Sequence, residues 1–403
     1  MPIKNLLYLL QLEEYDLDRF DDWLKNNSGR VVLEKKKHID WTLKARIIFA
    51  LANIFNIFTF GNKPLAIKTA LRFLLPFDIL AKKIIIFLAR MKIRRMKDLT
   101  IIGITGSYGK TTTKETIAHL LMHKYKTFKT EGNYNTLLGV AKTIIGNLKS
   151  EHEVFVCEMA AYRPGDIKII SDLIKPKIGI ITAIGPMHLE RFGTEENILK
   201  TKMELIESLP GGGTGYLPKE LELKIKNFNT KSKIEFFSSK EDLLVKIGSI
   251  FKISEEEILG YLKTAPQTPH RQEIIRTSAN IMIIDDTYNS NPAGFISALE
   301  MLKNTPAERK ILVTPGIIEL GQRQFELNKE AARSAAKIAD YVIIVGETNK
   351  KPLKEGLKEV YGNDHVSKVY EAINLNAAKL KLSELAMPNS VILLENDLPD
   401  HYF

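Results

Sequence analysis

Residues 105–115, TGSYGKTTTKE, carry glycines, a lysine and hydroxyls at a spacing that can hold phosphate. The backbone N–H groups of a glycine-rich turn and of a helix N-terminus together form an anion cradle. Gly106, Ser107 and Gly109 supply the turn, and Lys110 is placed to reach the terminal phosphates of a nucleotide. Thr111, with Thr112 beside it, offers a hydroxyl to Mg²⁺. One position breaks the usual G-x-x-x-x-G-K-[ST] spacing: residue 104 is isoleucine, and Gly103 stands one place early. Position 104 precedes the tight turn, so a loop one residue shorter there can dispense with its glycine. The plainer alternative is a glycine turn before an N-capped helix. The strand signal before the loop and the helix signal after it favour nucleotide binding.

Further motifs follow in order. TGSYGKTT, with its threonine run, resembles the ATP loop of the Mur ligases. TEGNYNTLLGVAKTI (130–144) resembles the T-x-GN-x-N-x-x-G segment of the family's MurF type. VFVCEMAAYRPGDI (154–167) resembles its strand ending in glutamate, with a PG-[ED]-I turn. ITAIGPMHLERFGTEENILKTKMELIESLP (181–210) resembles the histidine segment and the K-x-E helix. HRQE (270–273) and IDDTYNSNPAGFISAL (284–299) resemble the linker arginine and the DD-x-YN-x-NP nucleotide motif. The resemblance runs over about residues 98–403. It implies an ATP-dependent ligase joining a carboxylate to an amine.

That chemistry assigns roles. A carboxylate is a poor acyl donor until phosphoryl transfer from ATP makes it an acyl phosphate, which an amine can attack. The site must neutralise phosphate charge and position both reactants. Glu158, at a strand end, is placed to hold Mg²⁺ with Thr111. Its plain alternative is a solvated glutamate. By resemblance, His188 ligates a second Mg²⁺ or contacts phosphate; a lone histidine is otherwise usually structural. Also by resemblance, the K-x-E spacing selects Lys202 over Lys200, and Lys202 is carbamylated, which turns a cation into a metal-bridging carboxylate. Asn133 and Asn135 lie in a loop where amides bind phosphate, metal-bound water or substrate, or else stabilise a turn. Arg271 offers a guanidinium fork to ATP phosphate. Asp286, in preference to Asp285, is placed for the ribose hydroxyls. Asn289 and Asn291 flank the nucleotide, and Asn291 before Pro292 also reads as a helix N-cap.

The elements needed to position these residues are legible. DLTIIGITG reads as a buried strand and KTTTKETIAHLLMHK as a helix, with EVFVCEMA and KIGIITAIG as further strands. A second series follows APQTPHRQE (265–273): NIMIIDDTY, KILVTPG, DYVIIVGE and SVILLEND, each followed or separated by helical stretches. Alternating strands and helices predict an α/β fold with mostly parallel sheets. The predicted organisation is a helical N-terminal region (1–97), a central ATP-binding domain (98–268) and a Rossmann-like C-terminal domain (269–403).

The resemblance stops short of residues 1–97, where the family's MurF type has an α/β domain for the UDP-sugar. Here residues 1–40 predict one short amphipathic helix and a polar linker. Residues 41–100 carry 12 Lys/Arg and 2 Asp/Glu, a net charge of +10 that equals the formal charge of the whole chain. Apolar runs alternate with these cations. The longest charge-free run, residues 47–62, is shorter than the ~20 residues a spanning helix needs. Basic amphipathic helices on a membrane surface and a helical domain burying its apolar faces both fit. Nucleic acid is not expected, because aliphatic runs replace aromatic stacking platforms. TPGIIELGQ (314–322) is looser than the family's GD-x-x-ELG. The single cysteine, Cys157, excludes an internal disulfide and fits a cytoplasmic setting. Acidic residues stand where a signal peptide would be cleaved, so secretion is not expected.

The reading is therefore a ligase adding D-alanyl-D-alanine, or another amino acid or dipeptide, to a cell-wall peptide precursor. It implies ATP and two Mg²⁺ ions. The alternatives are a family ligase with a lipid-linked or polyamide acceptor, and a regulatory ATPase derived from the family.

Overall fold

The computed structural model describes residues 1–13, 15–26, 41–132, 134–187, 189–264, 267–288 and 290–397. They divide into two compact units, residues 1–84 and 85–397.

The smaller unit is helical: α1 (Ile3–Leu12), α2 (Leu17–Asn26), α3 (Leu43–Phe58) and the first part of α4 (Lys63–Arg95). Leu7, Leu10, Phe20, Ile48 and Ile67 meet in its core. The sequence predicts one helix before the linker, but two form. Tyr15 takes a left-handed φ of 63° and ends the first. Asp16 Oδ1 then accepts hydrogen bonds from the backbone N–H of Asp18 (2.9 Å) and Arg19 (3.1 Å), capping the second. The polar linker, residues 27–40, lies outside the described residues. α4 runs unbroken through Pro76. The carbonyl that loses its donor there belongs to Arg72, which is solvent-exposed. Among the described residues no helix is long and apolar enough to cross a membrane.

The larger unit holds two sheets. In the first, β1 (Thr100–Thr105), β2 (Thr127–Lys129), β3 (Val154–Glu158), β4 (Ile178–Ile181), β5 (Thr214–Pro218) and β6 (Lys233–Phe237) are all parallel. Their order is β2-β3-β1-β4-β5-β6. Both faces are covered. Ile101, Phe155, Cys157 and Ile181 face one core, and Ile102, Ile104, Val156 and Ile180 face the other. Side chains alternating across a strand covered on both sides produce these near-continuous apolar runs. The last turns of α4 also join this unit, where Ala89 and Ile93 pack with Leu99 and Ile101.

The second sheet comprises β7 (Glu273–Arg276), β8 (Met282–Asp286), β9 (Arg309–Thr314), β10 (Tyr341–Val345), β11 (Val369–Ala372) and β12 (Ser390–Glu395). Its order is β11-β10-β9-β12-β8-β7. Every pairing is parallel except that of β7 with β8. The predicted α/β class with mostly parallel sheets holds in both.

In the first sheet the strand order reverses at β1, which lies between β3 and β4. The loop after β1 therefore opens at the carboxyl-end crevice where open parallel sheets bind ligands.

Candidate active site

The glycine discrepancy at position 104 is resolved by where β1 ends. Ile104 is a fully buried strand residue paired with Glu158 across β1 and β3. The turn starts only at Gly106. Gly103 serves packing instead: a Cβ there would come within 2.7 Å of Met159 Cε and 2.9 Å of Leu205 Cδ1. Gly106 has φ 151° and a Cβ on it would overlap Thr182. Gly109 has φ 79° at the N-cap of α5 (Lys110–Met122). Both conformations are ones that side-chain-bearing residues rarely adopt.

The loop is tied to the segment following β4. Ser107 Oγ donates to Gly185 O and accepts from Gly185 N, both at 3.1 Å. Thr182 Oγ1 donates to Tyr108 O. Lys110 Nζ folds back onto the loop, donating to Gly106 O (2.8 Å) and Ser107 O (3.1 Å). Desolvation lowers its pKa to about 8, Glu158 opposes that shift, and Arg271 adds to it. Thr111 and Thr112 occupy the first turn of α5.

Glu158 closes β3 next to this loop. Its backbone N–H donates to Thr130 Oγ1 at 3.0 Å, and its Oε1 accepts from Asn135 Nδ2 at 3.0 Å. Its Oε2 is buried without a hydrogen-bond partner. The nearest cation is Lys114, on α5, with Nζ at 3.4 Å in ion-pair contact. A buried carboxylate oxygen left unsatisfied calls for a ligand. With the Thr111 hydroxyl on α5, the helix whose Lys114 meets Glu158, the donor set is hard oxygen, which fits Mg²⁺. Asn133 and His188 lie outside the described residues.

Lys202 is buried on the helix Glu195–Glu207. Desolvation, then the charge of Lys110, lower its pKa to about 7, against Glu204 and Asp166. Lys200, by contrast, pairs with Glu196 at 2.8 Å on the surface. The glutamate of K-x-E is a tether. Glu204 Oε1 accepts from Gly165 N (2.7 Å) and Oε2 from Lys168 N (2.9 Å), capping the helix Asp166–Ile174.

Arg271 reaches this region from the linker. Its Nη2 donates to Thr111 Oγ1 at 3.1 Å, and its guanidinium stacks 4.3 Å from the Tyr288 ring centroid. The neighbours of Arg271 adopt left-handed backbone, His270 at φ 58° and Gln272 at φ 54°. His270 Nδ1 sits 2.7 Å from Asp285 Oδ2. Asp285 also accepts from Thr287 N (3.1 Å) and Thr287 Oγ1 (2.6 Å). Asp285 is thus committed to holding the linker. Asp286, at the end of β8, is held more loosely: its carboxylate takes a long contact from Gln272 Nε2 at 3.5 Å, beside the Gln272 backbone. Burial raises its pKa. Asn291 Oδ1 accepts from Gly294 N at 2.9 Å, as an N-cap with Pro292 next. Asn289 lies outside the described residues.

Residues 104–262 match the Mur ligase middle domain, and residues 270–395 match the Mur ligase glutamate ligase domain. The chain belongs to the Mur ligase family. It is 28% identical over 326 residues to the UDP-N-acetylmuramoyl-tripeptide--D-alanyl-D-alanine ligase of Bacillus subtilis (strain 168), covering 69% of this chain and 71% of that one. A crystal structure of MurF from Acinetobacter baumannii superposes with a TM-score of 0.69 at 23% identity, covering 78% of this chain and 77% of that one. The MurF ligase of Thermotoga maritima, in complex with ADP, gives a TM-score of 0.68 at 24% identity, covering 78% and 80%. These structures establish the fold as that of the family.

Within this Mur ligase site, sequence reasoning missed three residues. Lys114 was given no role by its sequence, yet it is fully buried against Glu158. Its position four residues after Lys110 puts both on one face of α5, which was the available signal. Glu395 ends β12 beside Asp286 and is fully buried. It accepts from Ser290 Oγ and, at 3.2 Å, from Thr314 Oγ1. Burial raises its pKa well above the usual carboxylate range. Thr130 anchors the Glu158 backbone from the strand-end loop.

Proposed function

We propose that this Mur ligase is an ATP-dependent carboxylate–amine ligase that adds D-alanyl-D-alanine to a cell-wall peptide precursor. The activity in the name of the Bacillus subtilis relative supplies the substrate pair. The observation that carries the reading is the hydrogen bond from Arg271 to Thr111. It draws the linker next to Asp286 onto the phosphate loop, so a nucleotide can meet both parts of one site.

The reaction has two steps. A carboxylate oxygen of the precursor attacks the γ-phosphorus of ATP, ADP leaves, and an acyl phosphate forms. The amine of the dipeptide then attacks the acyl carbon, inorganic phosphate leaves with the C–O electron pair, and the amine loses a proton. Lys110 and Arg271 are cations positioned for the phosphate charge, and the turn of Gly106, Ser107 and Gly109 shapes its cradle, with the Ser107 N–H holding the loop to Ala183 O at 2.8 Å. Asp286 accepts from the ribose hydroxyls, with Asn289 and Asn291 flanking the nucleotide. Asn133 and Asn135 border the phosphates. Thr111 and Glu158 would hold a Mg²⁺ ion, with His188 and carbamylated Lys202 at a second; such ions neutralise phosphate charge. Support for the carbamate is chemical. An amine with a pKa of about 7 is largely neutral above pH 7, and neutral amine is the form that adds to CO₂.

The functional parts are residues 1–97, 98–268 and 269–403. The setting is cytoplasmic, with the enzyme peripheral on the inner face of the membrane. The test supplies ATP with a UDP-muramoyl tripeptide and D-alanyl-D-alanine and follows ADP, phosphate and the product mass. Phosphate release that needs both substrates, with a product heavier by one dipeptide residue, supports the ligase. ATP turnover indifferent to both substrates would leave a regulatory ATPase.

A further inference from the structure

α3 and α4 up to Ile84 form an antiparallel hairpin. Lys44 Nζ lies 3.0 Å from Asp78 Oδ2 far from the turn, and the Phe55 and Phe73 rings lie 6.1 Å apart nearer to it. The inner face is spent: Ala45, Ile48 and Ala52 of α3 and Ala66, Ile67 and Ala70 of α4 are buried. The outer face is also apolar, but it is exposed. Ile47, Ile54 and Phe58 lie along one helix, and Phe73, Phe77 and Leu80 along the other at i, i+4 and i+7. Phe60 is 99% exposed at the turn between the helices, with a left-handed φ of 50°. A large apolar patch of this kind marks an interaction surface.

Charge decides what covers it. Residues 41–84 hold seven Lys/Arg and a single acid, Asp78. Asp78 is taken by Lys44 and Lys82. Arg46, Lys63, Arg72 and Lys83 are exposed and have no ion-pair partner among the described residues. A second copy seated here would set the same cations against themselves. An anionic lipid surface would neutralise them while taking up the apolar side chains, as basic amphipathic helices do. No described helix is long and apolar enough to span the bilayer, so a lipid-bound hairpin would lie along its surface.

We infer that the outer face of the 43–84 hairpin docks on an anionic bilayer, with Phe60 at its inserted tip. This deepens the peripheral location given above and rests on it for its purpose, while its observations are independent of the ligase chemistry.

The experiment uses the full chain and sedimentation with phosphatidylcholine vesicles, with and without phosphatidylglycerol, in the absence of substrates. The protein is expected to pellet with phosphatidylglycerol vesicles, to bind at least about tenfold more weakly to pure phosphatidylcholine, and to be released by high salt. The variant Phe58→Ser/Phe60→Ser/Phe77→Ser should lose binding about tenfold or more. The variant Arg46→Glu/Lys63→Glu, which touches only exposed cations, should do the same with unchanged thermal unfolding. A folded protein that stays in the supernatant with phosphatidylglycerol vesicles overturns the inference. So does a native dimer in light scattering that the phenylalanine variant turns into a monomer, which would assign the face to a second copy. Ligation of soluble precursor without vesicles is read separately. Its absence, with vesicle binding intact, would count against the ligase reading alone.

Discussion

Lys114 and Glu158 form a buried ion pair, Nζ to Oε2 at 3.4 Å, with the lysine side chain wholly out of solvent. The pair joins α5 to the end of β3, so it connects the phosphate loop's helix to the proposed metal ligand. Lys114 also contacts Glu115 Oε1 (3.3 Å) and donates to Gly132 O (3.3 Å), which holds its charge in place.

Removing the cation should therefore show as a change in metal dependence. Lys114→Met leaves Glu158 buried without a counter-charge, a loss of about 3–5 kcal/mol for breaking such a pair. Thermal unfolding in EDTA should drop by several degrees. Added Mg²⁺ should restore more stability to the variant than to the native enzyme, since the ion replaces the missing charge. Equal Mg²⁺ shifts in both proteins would show that Glu158 is not a ligand.

Glu158→Gln keeps the side chain's size and its contact with Asn135 but removes its negative charge. ATP-dependent product formation should fall about 10²–10³-fold, the usual range for loss of one electrostatic partner at a phosphoryl or oxyanion site. Steady-state kinetics at saturating ATP check this, with circular dichroism to show the fold is retained.

The two aspartates of the DD motif should separate cleanly. Asp286→Asn should raise KM for ATP about tenfold, the equivalent of one hydrogen bond to ribose of roughly 1.4 kcal/mol, with little change in melting temperature. Asp285→Asn should do the reverse first: it weakens the bonds to His270 and Thr287 that hold the linker, so stability falls. If Asp285→Asn alone weakened ATP binding, the ribose assignment would move to that residue.

For Lys202 the sign of the pH effect follows from a pKa lowered to about 7 in the fold against 10.5 when unperturbed. Between those values the unfolded chain binds more protons than the folded one. Stability of the unmodified protein therefore rises from about pH 7 towards pH 10 and is lost as pH falls through 7. The neutral amine is also the form open to CO₂, so bicarbonate should raise activity at pH 8 and have little effect at pH 6. A ¹³C-bicarbonate signal from a carbamate carbon, absent in Lys202→Arg, checks the modification directly. A Lys202→Arg enzyme as active as the native one would remove the carbamate from the mechanism.

Arg271→Lys keeps a positive charge but loses the planar fork and its stacking on Tyr288. KM for ATP should rise about tenfold, with kcat falling as well if the linker contact to Thr111 closes the site. Isothermal titration with ADP separates the binding part from the rest.

The local order of chemistry was determined by the chain itself. Strand, glycine turn, lysine and helix lie within a dozen residues, so TGSYGKTT announces a phosphate loop wherever it is placed. The apolar runs of β1, β3 and β4 likewise require a sheet covered on both faces, because backbone and side-chain periodicity are local properties. The excess of lysine and arginine in residues 41–100 is equally a property of the sequence. Tertiary structure decided what depends on pairing between distant segments. Ile104 lies opposite Glu158, which shows that its position belongs to the strand and that no glycine is needed there. Lys114 looks like any helix lysine until β3 packs against α5 and removes water from it. Asp285 and Asp286 are equivalent neighbours in sequence; the His270 and Thr287 contacts commit one to the fold and leave the other for a ligand. Burial and the pKa shifts it causes come from atoms brought together from segments far apart in the chain, up to 160 residues for Thr111 and Arg271, and no spacing within the chain records them.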